Sequence, residues 1–139
     1  MKRGFKVYLA VPIVNYYNSE VTKILGEIIL DLGFELSSPW VLSGKDVGIS
    51  PRDIFYRDTN GVRSSDIILA EVSFPSHGVG MEIMFAYLEG KKIILVAKNE
   101  VKLSSLLEGI PGTVIIRYKD YEDLKCKVRE ILNKFFKDS

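Results

Sequence analysis

Residues 57–82 read RDTNGVRSSDIILAEVSFPSHGVGME, and this segment predicts a helix end, a buried strand and the start of a second helix. Residues 67–70 (IILA) form a continuous apolar run, which is typical of a parallel strand covered on both faces. Gly78 and Gly80 then predict a tight turn with a close backbone approach. Glu82 is expected in the first turn of the next helix, beside unpaired N–H groups and the positive end of the helix dipole.

Strands and helices alternate outward from this segment in both directions. The expected strands are residues 5–10, 34–36, 66–72, 92–97 and 113–118. The expected helices have Ser19 as N-cap and end at Gly33, begin at the Ser50–Pro51 cap, and cover 81–89, 103–107 and 121–136. This alternation predicts a three-layer, flavodoxin-like (Rossmann-like) α/β fold with five parallel strands in the order 2-1-3-4-5. Residues 8–15 and 73–82 would then face each other at the switch point of the sheet.

Two further segments suggest how the domain is used. The helix over 81–89 is apolar on nearly all sides, which predicts burial inside the protein or at a subunit interface. Residues 37–50 form a loop of the length that often binds ligands in compact domains. The chain shows no repeat, linker or low-complexity segment, so we expect residues 1–139 to form a single domain.

Composition narrows the classes of partner. The chain has 139 residues, 47% of them hydrophobic and 27% charged, with a formal net charge of +1. That balance gives no bulk electrostatic reason to bind a nucleic acid polymer or an anionic membrane, and the apolar runs are far shorter than a membrane span. Cys126 is the only cysteine, and the amino terminus leaves no room for the apolar region of a signal peptide. A reducing cytoplasm is therefore the expected location.

The two carboxylates at the ends of the opening segment carry the predicted chemistry. Asp58 falls on the apolar stripe of its helix, between Ile54 and Val62, so burial is expected to raise its pKa and suit it to donate a proton. Glu82 at a helix start is expected to stay ionised, which suits a nucleophile. A carboxylate pair of this kind can cleave a glycosidic bond. The structural alternatives are an ordinary first-turn glutamate and a buried aspartate that accepts from backbone N–H groups.

The remaining polar residues allow fewer kinds of site. Ser73, Ser76 and the two glycines suggest an anion-binding turn at the helix start, although the third glycine of a dinucleotide fingerprint is absent. Glu71 ends the buried strand and either orients a site group or caps a neighbouring loop. With one histidine and one cysteine, neither a histidine-based triad nor a Cys/His metal cluster is expected, and no organic cofactor is indicated. Aromatic residues in or beside the expected crevice could stack on a base: Tyr8, Tyr16, Tyr17 and Trp40.

Three motifs resemble the nucleoside 2-deoxyribosyltransferase family, which includes 2′-deoxynucleoside 5′-monophosphate N-hydrolases. They read V-Y-L-A-x-P-I near the start, R-D-x-N-G-V-x-x-S-D before the third strand, and A-E-V-S-x-P-S-x-G-V-G-x-E after it. The resemblance implies a flavodoxin-like fold, a nucleoside or nucleotide substrate, and a homodimer or larger assembly. It also implies that Glu82 is the nucleophile that forms a glycosyl-enzyme, that Asp58 assists departure of the base, and that Tyr8 lies at the active site.

The same resemblance implies a set of substrate contacts. Ser76 matches a serine near the 5′ end of the sugar or its phosphate. Ser104 matches a serine that a neighbouring subunit supplies to bind phosphate. Asn60, Gly78 and Gly80 belong to the same motifs and are expected beside the substrate.

The turn after the first strand departs from the hydrolase pattern. Residues 11–14 read VPIV where the monophosphate hydrolases carry a G-S-I-R-like turn, so two expected phosphate contacts are missing. The choice between nucleoside and monophosphate, and between water and a second base as acceptor, stays open. Two other functions also stay open: a non-catalytic nucleotide-binding or sensor domain, and a glycohydrolase of an NAD-like nucleotide.

Overall fold

The computed structural model describes residues 4–137, which form a five-stranded parallel sheet with helices on both sides. The strands lie in the order β2-β1-β3-β4-β5, which confirms the predicted fold class. The strands are β1 Lys6–Ala10, β2 Glu35–Leu36, β3 Ile67–Glu71, β4 Lys92–Lys98 and β5 Val114–Tyr118. The helices are α1 Ser19–Asp31, α2 Pro51–Ser64, α3 His77–Leu88, α4 Ser105–Glu108 and α5 Tyr121–Lys137, with a short 3₁₀ helix at Pro39–Leu42.

The alternation of side chains along the central strands divides the core into two layers. In β1, Val7 and Leu9 pack with residues of α1 and α5, whereas Tyr8 and Ala10 point to the opposite layer. That second layer contains Val62 of α2 and buried residues of α3. Tyr8 therefore lies under the two helices that carry the predicted acids, and it is fully buried there.

The switch point lies between β1 and β3, as predicted. Tyr8 is in register with Ile68, and Ala10 with Ala70, so both strands end at the same edge of the sheet. From that edge β1 continues into the loop before α1, while β3 continues into the loop before α3. The carboxyl edge of these two strands is therefore open to a ligand, as expected for this topology.

The predicted glycine turn before α3 is wrong. The helix begins at His77, four residues earlier than expected, and Ser76 caps it by accepting a hydrogen bond from the Val79 N–H at 3.3 Å. Gly78 and Gly80 lie inside the helix and are not among the described residues with positive φ. A serine N-cap and the burial of Val79, Ile83 and Ala86 offset the weak helix propensity of the two glycines. Glu82 consequently lies in the second turn and not in the first.

Other boundaries differ from prediction by smaller amounts. The N-cap of α1 is Asn18 and not Ser19, because the Asn18 side chain accepts from the Val21 N–H at 3.0 Å. The Ser50–Pro51 start of α2 is confirmed. The short fourth helix begins after Ser104, two residues later than expected. Within residues 4–137, no helix has both the length and the apolarity needed to cross a bilayer.

Candidate active site

An open cleft of about 500 Å³ lies between α2 and α3. Asp58 and Glu82 are the two acidic residues in its lining, and apolar side chains supply most of the rest. A mostly apolar cleft of this size with a few convergent polar groups is the usual form of a small-molecule site. The structure thus brings together the two carboxylates that the sequence singled out.

Tyr8 in β1 contacts the Glu82 side chain. The Tyr8 hydroxyl donates a hydrogen bond to Glu82 Oε2, and the Tyr8 ring packs edge-on against Trp40 with 6.1 Å between the ring centroids. Burial raises the pKa of Glu82 to about 8; the charge of Asp58 adds to this rise, whereas the Tyr8 hydrogen bond opposes it. The expectation that Glu82 stays ionised is therefore corrected, because the side chain lies one turn further into the helix than predicted and is partly withdrawn from solvent. Burial and the neighbouring Glu82 carboxylate also raise the pKa of Tyr8 far above its usual range.

Asp58 lies on α2 beside an arginine. Burial raises the pKa of Asp58, as its position on the apolar stripe predicted. Arg57 opposes that rise, since its Nε donates to Asp58 Oδ1 at 2.8 Å. A hydrogen bond with Glu82 also acts to lower the pKa of Asp58. The two acids are therefore electrostatically coupled and titrate as a pair.

Two residues that sequence reasoning did not assign hold this arrangement together. Arg57 pairs with Asp46 as well as Asp58, with 3.0 Å between Arg57 Nη1 and Asp46 Oδ1. A Cβ added at Gly61 would lie 2.8 Å from Tyr8 Cε2 and 3.0 Å from Trp40 Cη2, so the absent side chain lets both rings approach α2. The only sequence signal was the adjacency of Arg57 and Gly61 to the predicted residues in R-D-x-N-G.

A smaller cavity of about 170 Å³ opens at the start of α3. It is lined by residues of the loop after β1 and by Ser76 and Gly78, and Gly78 also lines the larger cleft. Tyr16 stacks on Phe74 at this cavity, with 4.5 Å between the ring centroids. The two cavities therefore adjoin at the first turn of α3.

Several predicted substrate contacts are not in the lining of either cavity. Tyr8 is fully buried beneath Glu82, so the structure does not expose its ring for stacking on a base. Asn60 is exposed, and its Oδ1 accepts from Arg63 Nη1 at 3.3 Å. Gly80 is half-buried inside α3, and Ser104 is exposed at the cap of α4. Within residues 4–137, Asn60, Gly80 and Ser104 are not brought to the acid pair by their own chain.

Glu71 caps the loop after β3, the second of the two alternatives for this residue. Its Oε1 accepts from the Ser73 N–H at 2.6 Å, and its Oε2 accepts from the Ser73 hydroxyl at 3.0 Å and the Tyr118 hydroxyl at 2.5 Å. Ser73 also accepts from the Lys98 N–H, so it is committed to the loop and does not form the predicted anion site with Ser76. The Glu71 network fixes the loop that leads into α3.

The fold and the cleft define a flavodoxin-like α/β protein with a coupled carboxylate pair at its switch point. Residues 7–130 match the family model described as nucleoside 2-deoxyribosyltransferase, and the chain belongs to that family. This confirms the resemblance carried by the three motifs. The members it resembles are enzymes that cleave N-glycosidic bonds of nucleotides.

Three similar proteins are examples of such enzymes. The chain is 31% identical over 136 residues to a putative 2′-deoxynucleoside 5′-phosphate N-hydrolase of Thermofilum pendens, covering 91% of this chain and 94% of the relative. It is 30% identical over 96 residues to a 5-hydroxymethyl-dUMP N-hydrolase of Tetraodon nigroviridis, covering 68% and 66%. Its fold is similar to that of the CMP N-glycosidase of Clostridium botulinum, with a TM-score of 0.68 at 22% identity over 88% of this chain and 96% of that one.

Proposed function

We propose that this protein cleaves the N-glycosidic bond of a (deoxy)nucleoside or its 5′-monophosphate. Glu82 acts as the nucleophile, Asp58 assists the departing base, and the sugar passes to water or to a second base. The observation that carries the proposal is the pair itself, because both carboxylates line one cleft and are coupled through their charges and hydrogen bonding. The membership of the family supports the same reaction class.

The proposed reaction has two steps, formation of a glycosyl-enzyme and its release. A Glu82 carboxylate oxygen bonds to C1′ while the bond from C1′ to the base nitrogen breaks, and Asp58 gives a proton to the departing base. Asp58, now ionised, takes a proton from water as the water oxygen attacks C1′ and releases Glu82. With a second base as acceptor, its nitrogen attacks C1′ in place of water. The Tyr8 hydroxyl donates a hydrogen bond to Glu82 and so helps to hold the carboxylate in one orientation.

The shape of the cleft suggests how a substrate lies. The apolar residues of α2 and α3, Phe55 and Phe85 among them, provide a surface for a planar base. The 5′ end of the sugar then points past Gly78 to the smaller cavity, where Ser76 and His77 offer polar contacts. The lining of this cavity contains neither lysine nor arginine, whereas two relatives are named for 5′-monophosphate substrates. Both forms of substrate therefore belong in the test.

We further propose that residues 1–139 form a single domain that assembles into a homodimer or a larger homo-oligomer. The proposed location is the cytoplasm, and the proposed reaction requires no cofactor. The α3 side of the same cleft is apolar and open, with Met81 64% exposed and Leu88 71% exposed, so a second copy on this face would also close part of the cleft. Covering such a face is what a second copy would do. Ser104 is expected to complete a phosphate site from the partner, and Asn60 and Gly80 are retained as substrate-binding candidates only through the family motifs.

The deciding experiment measures release of free base from a panel of substrates. The panel contains the common nucleosides and 2′-deoxynucleosides, their 5′-monophosphates, 5-hydroxymethyl-dUMP and NAD. We expect turnover of one class, and loss of that turnover in Glu82→Ala while the circular dichroism spectrum is unchanged. Glu27→Ala, an exposed glutamate on α1, serves as the matched control and is expected to keep full activity.

Two results would count against the proposal. Retained turnover in Glu82→Ala would remove the nucleophile assignment. Nucleotide binding by calorimetry without release of any base would favour the sensor alternative, and release of nicotinamide from NAD alone would favour the NAD-like alternative. A mass increase on Glu82 with a slow 2-fluoro-2′-deoxynucleoside would identify the covalent intermediate.

A further inference from the structure

Arg57 connects three parts of the protein around the acid pair. Its Nε donates to Asp58 at 2.8 Å, and its Nη1 lies 3.0 Å from Asp46 in the loop before α2. Its guanidinium carbon lies 4.4 Å from the centroid of the Trp40 ring, and that ring packs in turn against Tyr8. One side chain therefore links the loop, the helix and the layer beneath the cleft.

The contacts fix the position of the guanidinium more tightly than one ion pair would. A guanidinium is planar and carries its donors in a rigid fork, so two acids and an aromatic face leave it one orientation. The Arg57 side chain is only 19% exposed, which limits screening by solvent. Its Nη2 is buried and has no hydrogen-bond partner among the described residues.

We propose that Arg57 is a positioning residue for the reaction, which acts through Asp58 by holding one oxygen of that carboxyl group and leaving the other to the cleft. This inference rests on the proposed function, in which Asp58 gives its proton to the base. Arg57 is not part of the cleft lining, so it acts on substrate only through its neighbour. A cation beside Asp58 also makes the Asp58 proton easier to release.

Asp46 opposes the effect of Arg57 on the pKa of both acids. Its charge raises the pKa of Asp58 and of Glu82, whereas the charge of Arg57 lowers both. The charged and titratable groups that face Asp58 are thus Tyr8 from β1, Asp46 from the loop, Arg57 from α2 and Glu82 from α3. Removing Arg57 and removing Asp46 are expected to shift the titration of Asp58 in opposite directions. These shifts test the charges alone; kcat of a variant that keeps the charge at position 57 tests the positioning role.

The test uses three variants and one control. Arg57→Gln removes the positive charge. Arg57→Lys keeps the charge but loses the planar guanidinium, and Asp46→Asn removes the opposing negative charge. Arg52→Lys alters an exposed arginine in the first turn of the same helix and serves as the control. The first measurement is the titration midpoint of the Asp58 carboxyl carbon by ¹³C NMR in ligand-free protein, assigned by its loss in Asp58→Asn. The second is kcat and KM on the best substrate of the panel.

We expect the Asp58 midpoint to rise in Arg57→Gln, to fall in Asp46→Asn and to stay in place in Arg57→Lys. Arg57→Lys is expected to lower kcat by about tenfold or more, since a displaced catalytic group is costly even over small distances, with KM changed less than about threefold. An Asp58 midpoint that does not move in either charge variant, or a full kcat in Arg57→Lys, would overturn the inference. If Arg57→Gln does not fold, Asp46→Asn alone decides the direction of the shift. Failure of the proposed function would appear separately, as turnover that survives Glu82→Ala.

Discussion

Replacing Glu82 by glutamine should make the protein more stable at alkaline pH while abolishing turnover. A pKa raised from 4.5 to about 8 means that the folded protein prefers protonated Glu82, and the difference corresponds to about 5 kcal/mol. Between these two pH values the folded state holds a proton that the unfolded state has lost, so the free energy of unfolding falls as pH rises. Above pH 8 the wild type is folded with an ionised, buried carboxylate, whereas glutamine has no proton to lose.

The magnitude follows after two corrections. Coupling to Asp58 means that part of the effect belongs to the pair, and relaxation around a buried charge reduces it further, so we expect a gain of about 2–5 kcal/mol for Glu82→Gln at pH 9. At pH 4 the two proteins should be nearly equal in stability. The glutamine oxygen can still accept the Tyr8 hydrogen bond, which limits other losses.

The assay is urea-induced unfolding of the wild type, Glu82→Gln and the exposed control Glu27→Gln at intervals from pH 4 to pH 9. The difference in unfolding free energy between wild type and Glu82→Gln should widen steadily through the neutral range, while the control follows the wild type. Parallel stability curves for wild type and Glu82→Gln would refute the reasoning, because Glu82 would then titrate alike in the folded and unfolded states.

Three further outcomes are expected. Tyr8→Phe removes a hydrogen bond that lowers the pKa of Glu82, so the rising limb of the pH profile of kcat/KM should move to higher pH; an unmoved limb would separate Tyr8 from the acid pair. Gly61→Ala should lower the free energy of unfolding in urea by about 1–3 kcal/mol, because the new Cβ meets the Tyr8 ring at 2.8 Å. Gly80→Ala is the matched helical control, with open space around its Cβ, and should gain up to about 1 kcal/mol; equal effects at both positions would contradict the packing argument. Leu88→Asp places a charge on the exposed apolar face of α3 and should convert the proposed oligomer to a monomer, as measured by light scattering. A wild-type protein that is already monomeric would contradict the proposed interface at α3.

The strand order of the sheet could be predicted from the sequence because local hydrophobic patterns determine it. The apolar run at 67–70 and the regular alternation of strands and helices leave few arrangements for a parallel sheet. The start of α3 was missed because Gly78 and Gly80 suggest a turn when considered locally. Only the tertiary contacts of Val79 and Ile83 show that their helix extends through both glycines.

The candidate site was less accessible from sequence, because its electrostatics depend on residues that are distant along the chain. The raised pKa of Asp58 follows from helical periodicity alone, which is why it was predicted. The raised pKa of Glu82 depends on burial over Tyr8, a residue 74 positions away. Likewise Asp46 lies in a loop without periodicity, so its contact with Arg57 leaves no sequence pattern.

The distribution of protons in the free protein bears directly on the proposed reaction. Burial raises the pKa of both acids; hydrogen bonding to Arg57 and to Glu82 opposes the rise at Asp58, whereas the Asp58 charge adds to the rise at Glu82. A pKa raised to about 8 makes the protonated form of Glu82 the favoured one near neutral pH. The reaction requires the reverse, an ionised Glu82 facing C1′ and a proton on Asp58 facing the base. Because the two acids are electrostatically coupled, loss of the Glu82 proton makes Asp58 retain its own proton more firmly, which favours the reactive form. In the proposed reaction a bound substrate would favour the same form, since its sugar carbon develops positive charge beside Glu82 while its base nitrogen becomes a better proton acceptor beside Asp58.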